Sequence, residues 1–281
     1  MTSIYTIRTM SPDDLHVAID WAASEGWNPG LHDQDCFYAA DPQGFLIGEL
    51  NGEPIATISA VKYGAGFGFI GLYIVKPAYR GKGYGIQIWN AALNYLAGRN
   101  IGLDGVVAQQ RNYQKSGFQL AYRNIRFAGT SKANLTHSSN LVDLADIPFA
   151  AIAEYDRAFF PERRDHFLRK WIGQPDSVAL GMVENGKVRG YGVIRACRLG
   201  YKIGPLNADH FELADELFGA LLAKIPAGST IYLDIPEPNT QALELAQKYL
   251  HMVFETARMY TGAFPALSLD KMFGITSFEL G

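Results

Sequence analysis

Cysteine is scarce: Cys36 and Cys197 are the only two in 281 residues. They lie far apart and in no ligand-like spacing, which argues against a disulfide framework and against a thiolate metal site. No metal is expected. Strong charge of one sign is also missing, since the formal net charge is -3. Without a broad basic field there is nothing to hold a phosphodiester backbone, and no nucleic-acid partner is expected. Long hydrophobic runs are lacking as well. No uninterrupted apolar stretch nears the roughly 20 residues that span a bilayer. The opening MTSIYTIRTMSPDD holds no apolar core of signal-peptide length. The expectation is a cytoplasmic protein with no membrane partner. What remains is ordinary for a soluble globular chain, 48% hydrophobic and 19% charged, and long enough for two domains.

Ile4 to Thr9 alternates as a strand does. Ser11-Pro12-Asp13-Asp14 is a helix start, with a capping serine, proline in the first turn and acids beside it. Leu15, Ile19 and Ala22 continue one helical face to about Gly26. Gly44–Glu49 and Ile55–Tyr63 flank Asn51-Gly52 and read as a hairpin. Phe67–Val75 is a nearly continuous apolar strand. The glycine-rich segment Tyr79–Gly85 follows, then an amphipathic helix through Ile88, Ala92 and Leu96, and a strand at Leu103–Ala108. A short helix near Asn112–Ser116 and a strand at Tyr122–Gly129 complete this half.

The polar, aperiodic segment Ser131–Asn140 reads as a linker. Beyond it the pattern repeats. The Asn-Gly hairpin returns within Val178–Ala196, and Ile70-Gly71 has a counterpart in Ile203-Gly204. Gln114-Lys115 matches Gln247-Lys248, and Phe127-Ala128-Gly129 matches Tyr260-Thr261-Gly262, at the constant offset of 133. A duplicated domain is implied, with boundaries 1–130, 131–140 and 141–281.

The segment YRGKGYG sits between a strand and a helix. Such a turn is an anion site: the helix start offers unpaired N–H groups, glycines admit close approach, and Arg80 and Lys82 add charge. The P-loop pattern is absent. The dinucleotide fingerprint would need glycine at position 86, where Ile86 stands. An oxidoreductase is therefore the weaker reading.

Arg80-Gly81-Lys82-Gly83-Tyr84-Gly85 resembles the acyl-CoA pyrophosphate loop, Gln/Arg-x-x-Gly-x-Gly/Ala, of the GNAT superfamily of N-acetyltransferases. Tyr113-Gln114-Lys115-Ser116-Gly117-Phe118 resembles that family's second signature, a tyrosine and short helix ending in Gly-Phe. The order of elements over residues 4–129 fits the family, and the second half resembles its fold only. The whole chain resembles the tandem-GNAT subgroup. The implied fold class is α/β (α+β): two tandem domains, each a mixed, mostly antiparallel sheet flanked by helices.

The resemblance implies acetyl-CoA as co-substrate and acetyl transfer to a primary amine by direct attack. It places coenzyme contacts at Tyr73, Ile74, Val75, Arg80, Gly81, Lys82, Gly83, Tyr84, Gly85, Asn112 and Lys115. Backbone N–H groups of Tyr73 to Val75 would face the developing oxyanion. Tyr113 would protonate the departing thiolate. Glu49 and Asp104 are the acids nearest the central strands, and neither is assigned as base. Trp27, Asn28, His32 and Asp33 are candidate contacts to the acceptor, a small molecule or a protein amine. Tyr191, Arg195 and Tyr201 of the second half are further candidates for that pocket. At the constant offset YRGKGYG falls on Glu212–Phe218, where acids replace cations, so one coenzyme site per chain is expected. A non-catalytic acyl-CoA-binding sensor is the alternative, and a homodimer is compatible with the sequence.

Overall fold

The structure, a computed structural model, describes residues 4–131 and 141–281. The linker assignment therefore lies outside the described residues except for Ser131. Among those residues no helix is long and apolar enough to cross a membrane.

The first half runs β1 (Tyr5–Thr9), α1 (Pro12–Ser24), α2 (Asp33–Ala40), β2 (Phe45–Leu50), β3 (Glu53–Tyr63), β4 (Phe67–Val75), α3 (Tyr84–Tyr95), β5 (Asn100–Val106), α4 (Gln110–Lys115) and β6 (Gln119–Thr130). The second repeats the order with β7 (Leu141–Asp143), α5 (Phe149–Asp156), α6 (Asp165–Ile172), β8 (Ser177–Glu184), β9 (Lys187–Ala196), β10 (Tyr201–Ala208), α7 (Phe211–Leu222), β11 (Thr230–Pro236), α8 (Thr240–Tyr249) and β12 (His251–Tyr260). A last strand, β13 (Met272–Gly274), has no counterpart in the first half. Helix α1 begins as its sequence requires: Ser11 Oγ accepts from the Asp14 amide, and Asp14 accepts from the Ser11 amide. Asn51 and Asn185 adopt positive φ in the two Asn-Gly turns, matching the tight hairpins they close.

Sequence order and spatial order part company at the centre. All strands join one 13-stranded sheet, ordered β1-β2-β3-β4-β5-β12-β6-β11-β10-β9-β8-β7, with β13 beside β10. Each half thus gives its last long strand to the other: β12 lies between β5 and β6, and β6 lies between β12 and β11. Both exchange joints carry a buried Asp–Arg pair between directly opposed residues. Asp104 on β5 faces Arg258 on β12, at 2.6 and 3.0 Å. Asp234 on β11 faces Arg126 on β6, at 2.7 and 2.8 Å. These are two-pronged pairs, the geometry in which guanidinium and carboxylate fit best.

The mapping of YRGKGYG onto Glu212–Phe218 is corrected by the fold. Those residues lie within α7, because the connection before that helix has shrunk to Asp209-His210, against residues 76–83 before α3. The cationic glycine loop has no counterpart there.

Replacing Asp234 by asparagine leaves Arg126 buried without its anion. Denaturant titration at neutral pH should show a loss of about 3–5 kcal/mol, in a single transition because the halves share strands.

Candidate functional site

The site begins as a defect in the sheet. Strands β4 and β5 pair in parallel only from Phe67 to Ile70 and from Asn100 to Leu103. Beyond Ile70, Leu72 takes φ +47°, and the register of β4 against β3 slips between Gly71 and Ile74. Thr57 Oγ1 donates to the Leu72 carbonyl at 2.9 Å and holds this bulge. The strands splay, and the edge of β4 from Gly71 to Val75 turns toward a cleft of about 640 Å³.

At one end of the cleft stands the glycine loop. Gly81 and Gly83 have φ of +74° and +83°, and a Cβ on either would meet nothing within 4 Å. The loop is open to solvent at both glycines, and the N-terminus of α3, without a side-chain cap, points its free amides there. Arg80 is held by its Nε donating to the Val75 carbonyl and by an ion pair with Glu25. Arg80, Gly81, Gly83 and Gly85 line the cleft, as do Tyr73, Ile74, Val75 and Asn112. Lys82, Tyr84 and Lys115 do not: the exposed Lys82 lies with its Nζ 5.6 Å from the Tyr79 ring centre, Tyr84 packs on Tyr5, and Lys115 donates to Asn112 at 3.4 Å.

Tyr113 projects from α4 into the wall opposite β4, against Trp89 at 5.5 Å between ring centres. Burial, with Tyr73 beside it, pushes its hydroxyl up to about 12, so it keeps its proton at neutral pH. Gly105 on β5 makes the position possible, since a Cβ there would lie 2.3 Å from the Tyr113 ring. Sequence reading did not single out Gly105, whose signal is only a glycine inside a strand.

The inner wall comes from residues far along the chain. Phe254 and Thr256 of β12, with Phe278 and Glu279 of the C-terminal segment, line it beside Trp27. This segment was not anticipated. It leaves β13, passes Gly204 and reaches Gly71, where the Glu279 carbonyl would stand 2.0 Å from an added Cβ. Leu280 and Gly281 carbonyls accept from Tyr63 and Arg164.

Of the four candidate acceptor contacts, only Trp27 lines the cleft. Asn28 exchanges two hydrogen bonds with the Leu199 backbone, His32 meets Asp176, and Asp33 is fully buried against Arg195. The connection before α2 docks onto the other half, so its polar groups are consumed there. Arg195 is spent on Asp33, Tyr191 donates to Asp156 inside the core, and Tyr201 packs in the second half's core. None of the three lines the cleft. Glu49 pairs with Arg8 and lies off the cleft, while Asp104 lines it but is clamped by Arg258 and Asn124. Among the described residues no cluster of His, Cys, Asp or Glu is placed to hold a metal ion.

The second half has the same splay, but it is filled. Strands β10 and β11 pair from Tyr201 to Ile203, and then β13 enters between them. Gly274 and Met272 pair with Leu206 and Asn207, and the Ile275 amide donates to the Asp234 carbonyl at 2.8 Å. The chain occupies its own second gap.

Comparison with known proteins agrees with this double plan. The model of the Acetyltransferase (GNAT) family matches residues 12–118, and that of the Acetyltransferase (GNAT) domain matches residues 152–274. A holothin acyltransferase from Pseudoalteromonas sp. (strain SANK 73390) is 30% identical over 278 residues, covering 99% of this chain and 95% of that protein. A Pyrococcus horikoshii protein assigned as an acetyltransferase superposes with a TM-score of 0.84 at 25% identity, over 99% of this chain and 96% of that one. A tandem GNAT protein from the clavulanic acid biosynthesis pathway has a TM-score of 0.63 at 12% identity, over 93% of this chain and 100% of that one, a likeness of fold.

Gly83→Ala isolates the backbone demand of the loop, because its Cβ meets open space. Denaturant titration should show a loss of about 1–2 kcal/mol, the cost of the left-handed conformation alone.

Proposed function

This chain belongs to the GNAT acyltransferase family, with a family domain in each half, and from that premise we propose that it is an acetyl-CoA-dependent N-acetyltransferase acting on a primary amine. The observation that carries the reading is the opposition, across one cleft, of the glycine loop at α3 and a half-buried, protonated tyrosine at position 113. The loop's N–H groups and Arg80 suit a pyrophosphate. Arg80 must then turn from Glu25, a surface pair of modest worth. The exposed edge of β4 from Tyr73 to Val75 suits an extended amide-bearing arm, added as a strand would be. The same amides can receive negative charge on a carbonyl oxygen, and Tyr113 is close enough to β4 to protonate a leaving thiolate.

One coenzyme site per chain is part of this reading, with the first half carrying it. The filled gap between β10 and β11 supports that assignment. The acceptor enters from the side of Trp27, Phe254 and Phe278, whose rings favour a flat or apolar amine. Holothin, named by the 30% identical relative, is the first acceptor to try.

Calorimetric titration with acetyl-CoA should give one site per chain, lost in Gly83→Asp, where an anion occupies the loop. Two sites would overturn the assignment to the first half. Tyr113→Phe should lower turnover by about 10²-fold or more while acetyl-CoA affinity holds. Unchanged turnover would remove Tyr113 from the chemistry. Gly105→Ala, which pushes the ring aside, should lower turnover by as much as about 10²-fold without touching the loop.

A further inference from the structure

Acyl transfer to an amine needs a group that removes a proton from nitrogen, and the cleft narrows the choice. Three carboxylates line it: Glu25, Asp104 and Glu279. Glu25 stands at the loop end beside Arg80, where the pyrophosphate is expected, rather than beside Gly71. Asp104 receives Arg258 through both oxygens and Asn124 through one, and serves the exchange joint. Glu279 is different. It is 3% exposed, and among the described residues neither carboxylate oxygen has a hydrogen-bond partner. A buried carboxylate left without partners is costly and calls for a functional account.

Its surroundings explain how the charge is tolerated. Arg126 on β6, Arg195 on β9 and Lys202 on β10 act on it electrostatically. Arg126 and Arg195 already hold Asp234 and Asp33, although Arg195 Nη1 has no partner among the described residues, and Lys202, whose pKa burial lowers, donates from Nζ to the Trp27 carbonyl at 3.4 Å. Cys197 is the remaining titratable neighbour of this group of cations. Glu279 is held by backbone contacts rather than by its charge. Its carbonyl backs onto Gly71, one residue before the bulge, and the next two carbonyls are tied to Tyr63 and Arg164. The residue is therefore fixed beside the stretch of β4 where the reacting carbonyl is expected to lie, with its acid group uncommitted.

We propose that Glu279 is the proton acceptor for the attacking amine, directly or through one bridging water. This rests on the N-acetyltransferase reading above. Glu279 takes one proton from the bound ammonium, and the neutral nitrogen then adds to the thioester carbonyl, whose oxygen takes the negative charge. As the C–S bond breaks, Tyr113 gives its proton to sulfur and the second nitrogen proton passes through solvent to the Tyr113 phenolate. Glu279 returns its proton to solvent, so the net release is one proton and no further reactant is needed. The C-terminal segment would then supply the base and the first half the acid.

The test compares wild type with Glu279→Gln in the full chain, using acetyl-CoA and a primary amine found by screening, holothin first. Acetyl-CoA titration should be unchanged. At pH 7, kcat should fall by about 10²-fold. The kcat/KM of the variant should climb with pH toward the amine's own pKa, because only amine already neutral in solution reacts, and the gap to wild type should close. Glu279→Asp, which keeps the acid but withdraws it by one methylene, should fall between the two and keeps the test open if the glutamine variant fails to fold. A rate deficit constant across pH, accompanied by a lower melting temperature, would mean that Glu279 only balances Lys202. Wild-type turnover in Glu279→Gln would overturn the proposal directly. If wild type binds acetyl-CoA yet acetylates no amine, the enzyme reading itself fails and takes this one with it.

Discussion

Everything in this molecule hangs on two guanidinium–carboxylate contacts at the centre of the sheet, Asp104 with Arg258 and Asp234 with Arg126. Each joins a strand of one half to a strand donated by the other, and the joined residues stand directly opposite in register. A buried pair of this kind adds little net energy over apolar packing, because desolvation offsets attraction. Its force is selective. A strand that slipped by one residue would face its arginine to the other side of the sheet and strand two charges in the interior. The pairs thus penalise wrong registers at the place where two copies of one motif might be confused.

From that frame the two halves diverge. Both open a gap where their parallel strands part, after Ile70 and after Ile203. The first gap stays open, whereas β13 takes the second and satisfies its edges with the chain's own amides. The segment then continues to the open gap and forms its inner wall with Phe278 and Glu279. The second half has lost the cationic loop, and what it contributes instead is a wall and a carboxylate.

Much of this was legible in the residues. Local chemistry announced the hairpins, the capped helix α1, the glycine loop and the Tyr113 element, because each depends on neighbours in sequence. The strand exchange was invisible, since β12 beside β5 obeys the same alternation as β6 would. The paired arginines escaped the repeat for a traceable reason: Arg126, opposite Asp234, and Arg258, opposite Asp104, stand 132 residues apart, one short of the offset that aligns Phe127 with Tyr260. Helix α2 carries little local signal, because its eight residues, DQDCFYAA, have weak amphipathic order. Asn28, His32 and Asp33 looked like site residues since polar and aromatic groups crowd a turn there. Their partners, Leu199, Asp176 and Arg195, come from the other half, and no local pattern names them. Glu279 offered no motif at all, and its position follows only from the path of the chain.

The exchange also sets a clock on biosynthesis. Domains commonly fold in the order in which they leave the ribosome, the first without waiting for the second. Here β5 and β6 flank a space that only His251–Tyr260 can fill, and the cleft lacks its inner wall until Phe278 and Glu279 have emerged. The nascent first half must wait, with two sheet edges open, through translation of the entire second half. Sequences of this design place their need for protection from aggregation early, during synthesis, rather than later in the life of the finished protein.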